Sequence, residues 1–172
     1  MISILPLQES DCNNILMWNQ GKDADFLMQW SGQYYKYPIT KEQILNRLNN
    51  TNPKFSINIF KIILEETSEI IGTIEFLIPK DNLSIAFLGR FLLDEKYRGH
   101  GYGKTALSML SNKIFADTTA EKIKLGVFLY NKSAIACYKK VGYKIDAIHK
   151  FEDNPKNDGY SMILERPTKI NT

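Results

Sequence analysis

Phe91-Leu92-Leu93-Asp94 is followed, after three residues, by Arg98-Gly99-His100-Gly101-Tyr102-Gly103-Lys104, and then by Thr105-Ala106-Leu107-Ser108-Met109-Leu110. The order is an apolar strand, a glycine turn and an amphipathic helix. Three glycines at alternate positions let the main chain enter conformations closed to other residues, so several N–H groups can converge on one anion. The helix that follows aims its positive end into the same space. Such an arrangement binds phosphate, and the rest of the chain has to say whose phosphate it is.

Two familiar loops each miss their template at one position. A nucleotide P-loop needs a glycine where Arg98 stands, although Lys104 and Thr105 otherwise suit it. A dinucleotide fingerprint needs its third glycine where Lys104 stands. What remains is Arg-x-x-Gly-x-Gly between a strand and a helix.

Outward from the loop, the chain reads as one domain over its 172 residues, long enough to bury a substantial core. At 44% hydrophobic and 24% charged residues it has the composition of a globular protein. A formal charge of +3 is too small to argue for nucleic acid and is compatible with an anionic cofactor. Met1 to Pro6 lacks the charged and long apolar regions of a leader, and no apolar run approaches the length of a membrane span, so a cytoplasmic location without membrane contact is expected. Cys12 and Cys137 lie far apart with only His100 and His149 for company, which predicts neither a metal site nor a disulfide framework.

Upstream, Ile2 to Pro6 reads as a strand, and Ser10 and Asp11 offer caps for a helix carrying Ile15, Leu16 and Trp18. Gly21 breaks that pattern. Asp25 to Gly32 and Tyr34-Tyr35-Lys36-Tyr37-Pro38 are rich in aromatic residues that either line a cleft or pack one edge of the core. Thr40 to Gln43 reads as a capping box for a second helix striped by Ile44, Leu45 and Leu48 and ended by Asn49-Asn50-Thr51-Asn52-Pro53. Strands are expected over Phe55 to Leu64, Ile70 to Ile78 and Ser84 to Leu93, an antiparallel meander running into the loop. In the second of them Ile74, Phe76 and Ile78 share one face, and Thr73, Glu75 and Leu77 the other.

Downstream, Leu107, Leu110 and Ile114 recur at helical spacing, and Ile123, Leu125, Val127 and Leu129 alternate within a strand from Lys122 to Tyr130. Strand, helix and strand of these lengths predict a parallel crossover. A helix capped by Asn131 carries Ala134, Ile135, Tyr138 and Val141 and stops at Gly142. Two closing strands, Tyr143 to Phe151 and Tyr160 to Glu165, flank the polar loop Glu152 to Gly159.

The glycine loop resembles the pyrophosphate-binding signature of the GNAT superfamily of acyl-CoA-dependent N-acetyltransferases. Val127 to Tyr143, in which a strand ends at Asn131 and a helix presents Tyr138 before Gly142-Tyr143, is similar to that family's second signature. The resemblance covers roughly Phe55 to Leu164. It implies a mixed α/β (α+β) fold, with a central sheet of about seven strands flanked by about four helices. It also implies that the strand before the loop splays from its parallel neighbour. Acetyl-CoA would then be the co-substrate, with no metal. Its pantetheine arm would bond the main chain of Phe91, Leu92 and Leu93, and its pyrophosphate would lie on Arg98, Gly99, His100, Gly101, Tyr102, Gly103 and Lys104. Asn131, Ser133 and Tyr138 would complete the cofactor side. Tyr138 would be the general acid for the departing thiolate.

Glu75, a lone carboxylate in an apolar strand, is the candidate general base, with Asp94 and Asp11 behind it and water as the alternative. The acceptor would be a primary amine on a small molecule or peptide. The look is closest to the branch that acetylates protein N-termini, polyamines or aminoglycosides, and a homodimer is compatible with it. Glu75, Glu152, Asp153 and Asp158 could draw in a cationic amine, or could simply be solvated. A non-catalytic acyl-CoA sensor and a P-loop nucleotide binder stand as rival functions.

Overall fold

The computed structural model describes residues 1–49 and 52–168, so Asn50 and Thr51 of the expected helix terminator lie outside the described residues. Seven strands form one sheet in the order β1-β2-β3-β4-β5-β7-β6: β1 (Ile2–Pro6), β2 (Phe55–Leu64), β3 (Glu69–Pro79), β4 (Ile85–Leu93), β5 (Lys122–Phe128), β6 (Lys144–His149) and β7 (Gly159–Glu165). Every neighbouring pair is antiparallel except β4 and β5. That parallel pair is joined by α4 (Tyr102–Asp117), the crossover expected from the alternation of apolar residues.

Alternation along the strands sends side chains into two apolar layers. Ile74 and Phe76 of β3 join Leu107, Leu110 and Ile114 of α4 and Ile135 of α5 (Lys132–Val141) on one face. Leu92 of β4 joins the other face, with Ile15, Trp30 and Ile44. That second layer is supplied by α1 (Cys12–Asn19), α2 (Ala24–Ser31) and α3 (Lys41–Leu48). Among the described residues five α-helices flank the sheet, in keeping with the expected number of about four, and α2 forms where the sequence reading had only an aromatic segment. Asp23 starts α2 by accepting from Phe26 N–H at 2.8 Å, and Leu27, Trp30 and Ser31 make its buried stripe.

Two caps differ from expectation in detail. Thr40 does accept from Gln43 N–H at 3.3 Å, but the Gln43 side chain turns back to Lys36 and Pro38 and so completes no reciprocal box. Asp11 accepts from Gln8 N–H and from Lys61 Nζ, each at 2.8 Å, and its side chain does not cap α1. Among the described residues, no helix is long and apolar enough to cross a membrane.

Candidate active site

The site begins where β4 and β5 part. Their parallel ladder holds for only three pairs, Ile85↔Lys122, Ala86↔Ile123 and Phe87↔Lys124, although β4 runs on to Leu93 and β5 to Phe128. The cause lies on the far side of β4. There Thr73 pairs with Leu92 and Glu75 with Gly89, so two steps along β3 meet three along β4. The extra residue is a bulge, and Arg90 takes it up with φ 45. A bulge bends its strand and tightens the local twist. The expected splay is therefore present, with Phe91, Leu92 and Leu93 along the strand edge that no longer has β5 as partner.

At the end of β4 the chain makes a short 3-10 turn, in which Tyr97 N–H donates to Asp94 O at 3.0 Å and Arg98 N–H to Glu95 O at 3.1 Å. The next main-chain donor with a main-chain acceptor is Thr105 N–H, on Gly101 O at 3.1 Å. Between them the N–H groups of Gly99, His100, Gly101, Tyr102, Gly103 and Lys104 have no main-chain acceptor among the described residues. Gly99 and Gly101, at φ 82 and 84, occupy the left-handed region that turns these donors inward. Gly101 is the N-cap of a 16-residue helix and Tyr102, Gly103 and Lys104 form its first turn, so the helix dipole adds to the partial charge of these donors.

Gly103 lets that turn press on its neighbours. A Cβ there would stand 3.2 Å from Leu93 Cδ1, 3.6 Å from Phe91 Cζ and 3.9 Å from Cys137 Sγ. Arg98 was expected among the phosphate donors, but its side chain folds back. Nε and Nη2 donate to Leu93 O at 3.1 and 2.9 Å, tying the loop to the strand it leaves. His100 and Tyr102 stack with ring centroids 6.0 Å apart on the loop's flank.

The second expected element lies alongside. Asn131 caps α5 by accepting from Ala134 N–H at 3.3 Å, and Ser133 Oγ donates to the same Asn131 oxygen at 3.2 Å, so both side chains serve the cap. One face of α5 brings Cys137 to Gly103, and the next residue, Tyr138, enters the core. Its ring lies 6.1 Å from that of Tyr143, whose hydroxyl is 2.9 Å from Ser111 Oγ on α4. Among the described residues no protein group bonds the Tyr138 hydroxyl, and that oxygen is not sealed from the surface. Burial pushes the Tyr138 phenol up, and does the same to the Cys137 thiol against the opposing pull of Lys140 and Lys104.

Glu75 lies on the opposite face of the sheet, under α3, with 2% of its surface exposed. Arg47 Nε donates to one carboxylate oxygen at 3.2 Å, while Arg47 Nη2 and Arg90 Nε both donate to the other. The Tyr34 ring covers both guanidiniums, 4.1 Å from Arg47 Cζ and 5.1 Å from Arg90 Cζ. A candidate base would have to leave these donors to take a proton from an amine. Asp94 accepts from Lys96 N–H at 3.2 Å within the 3-10 turn, and His149 is exposed on β6.

The aromatic segment divides between its two readings. Trp30 and Tyr35 are buried, with centroids 5.7 Å apart, while Tyr34 and Tyr37 are exposed. Arg47 was missed, although its place on the same face as Ile44 marked it as a charge that must find a buried partner.

Two openings border the site. A cavity of about 720 Å³ lies among Leu16, Met17, Leu27, Tyr37 and Ile39, and one of about 360 Å³ adjoins it at Met17, Lys22, Leu93 and Arg98. Lys156 of the β6–β7 loop is ion-paired with Asp25 of α2, and Asp158 closes that loop by accepting from Phe151 N–H at 2.8 Å. Glu152 and Asp153 are exposed there. No group of three or more His, Cys, Asp or Glu residues arranged to hold a metal occurs among the described residues.

Comparison with known proteins agrees with this fold. The fold matches that of spermidine N-acetyltransferase from Vibrio cholerae, solved with CoA and spermine, with a TM-score of 0.75 over 95% of both chains at 16% identity. It also matches the aminoglycoside acetyltransferase AAC(6')-Ib, solved with coenzyme A, with a TM-score of 0.73 over 96% of this chain and 95% of that one at 19% identity. An uncharacterized N-acetyltransferase of Bacillus subtilis (strain 168), YdgE, is 36% identical over 63 residues, a stretch that spans 37% of this chain and 40% of that protein. The model of the Acetyltransferase (GNAT) family matches residues 23–143, from the start of α2 through the glycine loop to Tyr143, and the chain belongs to that family.

Proposed function

We propose that this protein transfers the acetyl group of acetyl-CoA to a primary amine by direct attack in a ternary complex. The observation that carries the proposal is the run of six main-chain N–H groups, Gly99 to Lys104, without main-chain acceptors at the start of α4. A diphosphate offers the matching acceptors, and hydrogen bonds to an ionised acceptor are roughly twice as strong as neutral ones. Gly103 supports the same fit, because it keeps the loop flush with Leu93 and Phe91, where the pantetheine arm would continue along the open edge of β4.

Each part of the chain then has a task. The cradle holds the diphosphate, and the edge of β4 at Phe91, Leu92 and Leu93 takes the amide groups of the arm. An N–H of Leu92 or Leu93 polarises the thioester carbonyl, whose oxygen gains negative charge as the amine attacks. As the C–N bond forms and the C–S bond breaks, Tyr138 gives its proton to the sulfur and recovers one from the amine through water. Burial holds the Tyr138 phenol protonated, and the same scarcity of water raises the proton affinity of the thiolate.

The acceptor enters between α2 and the β6–β7 loop, which the Lys156–Asp25 pair joins. The acids Glu152 and Asp153 of that loop favour a small cationic amine there, the class of ligand bound by the Vibrio spermidine enzyme. We place the enzyme in the cytoplasm.

The test is thiol release from acetyl-CoA with a panel of polyamines, aminoglycosides and peptide N-termini, comparing the parent with Tyr138→Phe. The variant should bind CoA as the parent does and turn over about 10²–10⁴-fold more slowly, the usual contribution of a positioned acid. A parent that binds CoA yet releases thiol with no amine would make the protein a sensor of acyl-CoA. Tight binding of ATP with magnesium in place of CoA would favour a nucleotide-binding function.

A further inference from the structure

The buried charges under α3 reach the bulge of β4 through Arg90. Glu75 and Arg47 are 2% and 3% exposed at their side chains, and Arg90 is 18% exposed. Burying ions is costly unless each is closely paired, so a small core that keeps three of them has a use for their geometry. Arg90 is the odd residue of the group. It is a non-glycine residue in the left-handed region, inside a strand, although Gly89 stands next to it and could have taken that conformation without cost.

Arg90 is held from its side chain. Its Nε–H donates to Glu75, Glu75 is gripped by Nε and Nη2 of Arg47, and Arg47 comes from the helix packed across the strands. On β3, next but one to Glu75, Thr73 Oγ1 donates to Phe60 O at 3.0 Å and fixes the strand on which the carboxylate rides. We infer that Glu75 is a positioning residue: with Arg47 it locks Arg90 in its left-handed conformation, and so sets the bulge that turns Phe91, Leu92 and Leu93 toward the cofactor. The inference rests on the acetyl-transfer proposal, because only then does that strand edge meet a thioester. It assigns Glu75 a task that a base could not perform from the same place, since both its oxygens are occupied.

A glycine at position 90 separates the two roles, because glycine adopts φ 45 without a clamp. The parent, Glu75→Gln, Arg90→Gly and the double variant are compared for CoA affinity by calorimetry, for kcat and KM, and for the pH profile of kcat/KM. In the parent background Glu75→Gln should weaken CoA binding and lower kcat/KM by about tenfold or more, with the acid limb of the profile unmoved. In the Arg90→Gly background the same substitution should change both by less than about threefold. An equal loss in the two backgrounds overturns the inference, as does a Glu75→Gln protein that binds CoA normally but loses its acid limb, the mark of a base.

Should Glu75→Gln fail to fold, Arg90→Gly and Arg90→Ala decide the matter with Glu75 and Arg47 intact. Both lack the clamp and only alanine resists the left-handed conformation, so alanine should bind CoA several-fold more weakly. Equal affinities refute the clamp. The CoA affinities remain informative even if no amine supports turnover, in which case the transfer proposal fails and the positioning role is judged by binding alone.

Discussion

Replacing Gly101 with alanine isolates the main-chain donors of the glycine loop from every side chain around them. Gly101 sits at φ 84, ψ −9, and a Cβ built on it meets no heavy atom within 4 Å. The substitution therefore carries no steric cost and removes no charge, and what remains is conformational. Holding an L-residue in the left-handed region costs about 1–2 kcal/mol. The free loop can relax to avoid that cost, but a loop that must point its N–H groups at a diphosphate cannot, so the cost falls on binding. At 1.4 kcal/mol per decade, affinity for CoA should drop by about 5–30-fold, while the thermal midpoint of the unliganded protein moves little. Gly21→Ala is the control: at φ 71, with nothing within 4 Å of a built Cβ, it carries the same left-handed cost but lies outside the cradle. Its affinity should stay within about threefold of the parent. Calorimetric titration with CoA at one fixed salt concentration measures all three proteins. If Gly101→Ala binds like the parent, or more tightly than Gly21→Ala, the diphosphate is held by side chains such as Lys104 and the main-chain cradle is wrong.

Burial pushes the phenols of Tyr35, Tyr138 and Tyr143 up. The unfolded chain ionises them near pH 10, so their contribution to stability is complete below that pH. Above it, stability should fall by about 1.4 kcal/mol per pH unit for each phenol. Denaturant titrations between pH 9 and 11 should show this decline, shallower in Tyr138→Phe, and an unchanged slope in that variant would refute it. Ser111→Ala strands the buried Tyr143 hydroxyl and should cost about 1–3 kcal/mol in unfolding free energy. Adding Tyr143→Phe should restore part of that loss, whereas simple additivity of the two losses would show that their hydrogen bond is energetically idle.

The parts of the site that the sequence made legible are those whose physics is local. Gly99 and Gly101 must be glycine because of their own φ, Asn131 caps a helix three residues away, and the alternation of Ile123, Leu125 and Val127 needs no knowledge of the rest of the chain. The second helix was hidden by its aromatics, although Asp23 before Phe26 and the spacing of Leu27, Trp30 and Ser31 carried its signal. Glu75 was legible as an unusual residue, but its partners come from 28 residues upstream and 15 downstream, and no local pattern announces such a meeting. The bulge was less legible still. The glycine at position 89 would draw any reading of left-handed backbone to itself, yet Arg90 is the residue that turns.

The insertion of β7 between β5 and β6 makes the timing of synthesis part of the design. Because β4 grips β5 over three residues only, β5 depends on β7, which pairs with all seven of its positions from Lys122↔Glu165 to Phe128↔Gly159. Without β7, β5 keeps only those three pairs with β4. The strand that completes this half of the sheet, Gly159–Glu165, follows both of its neighbours in the sequence and lies between them. Ending the chain just before Gly159 would remove all seven of these pairs and leave β6 without its neighbour in the sheet.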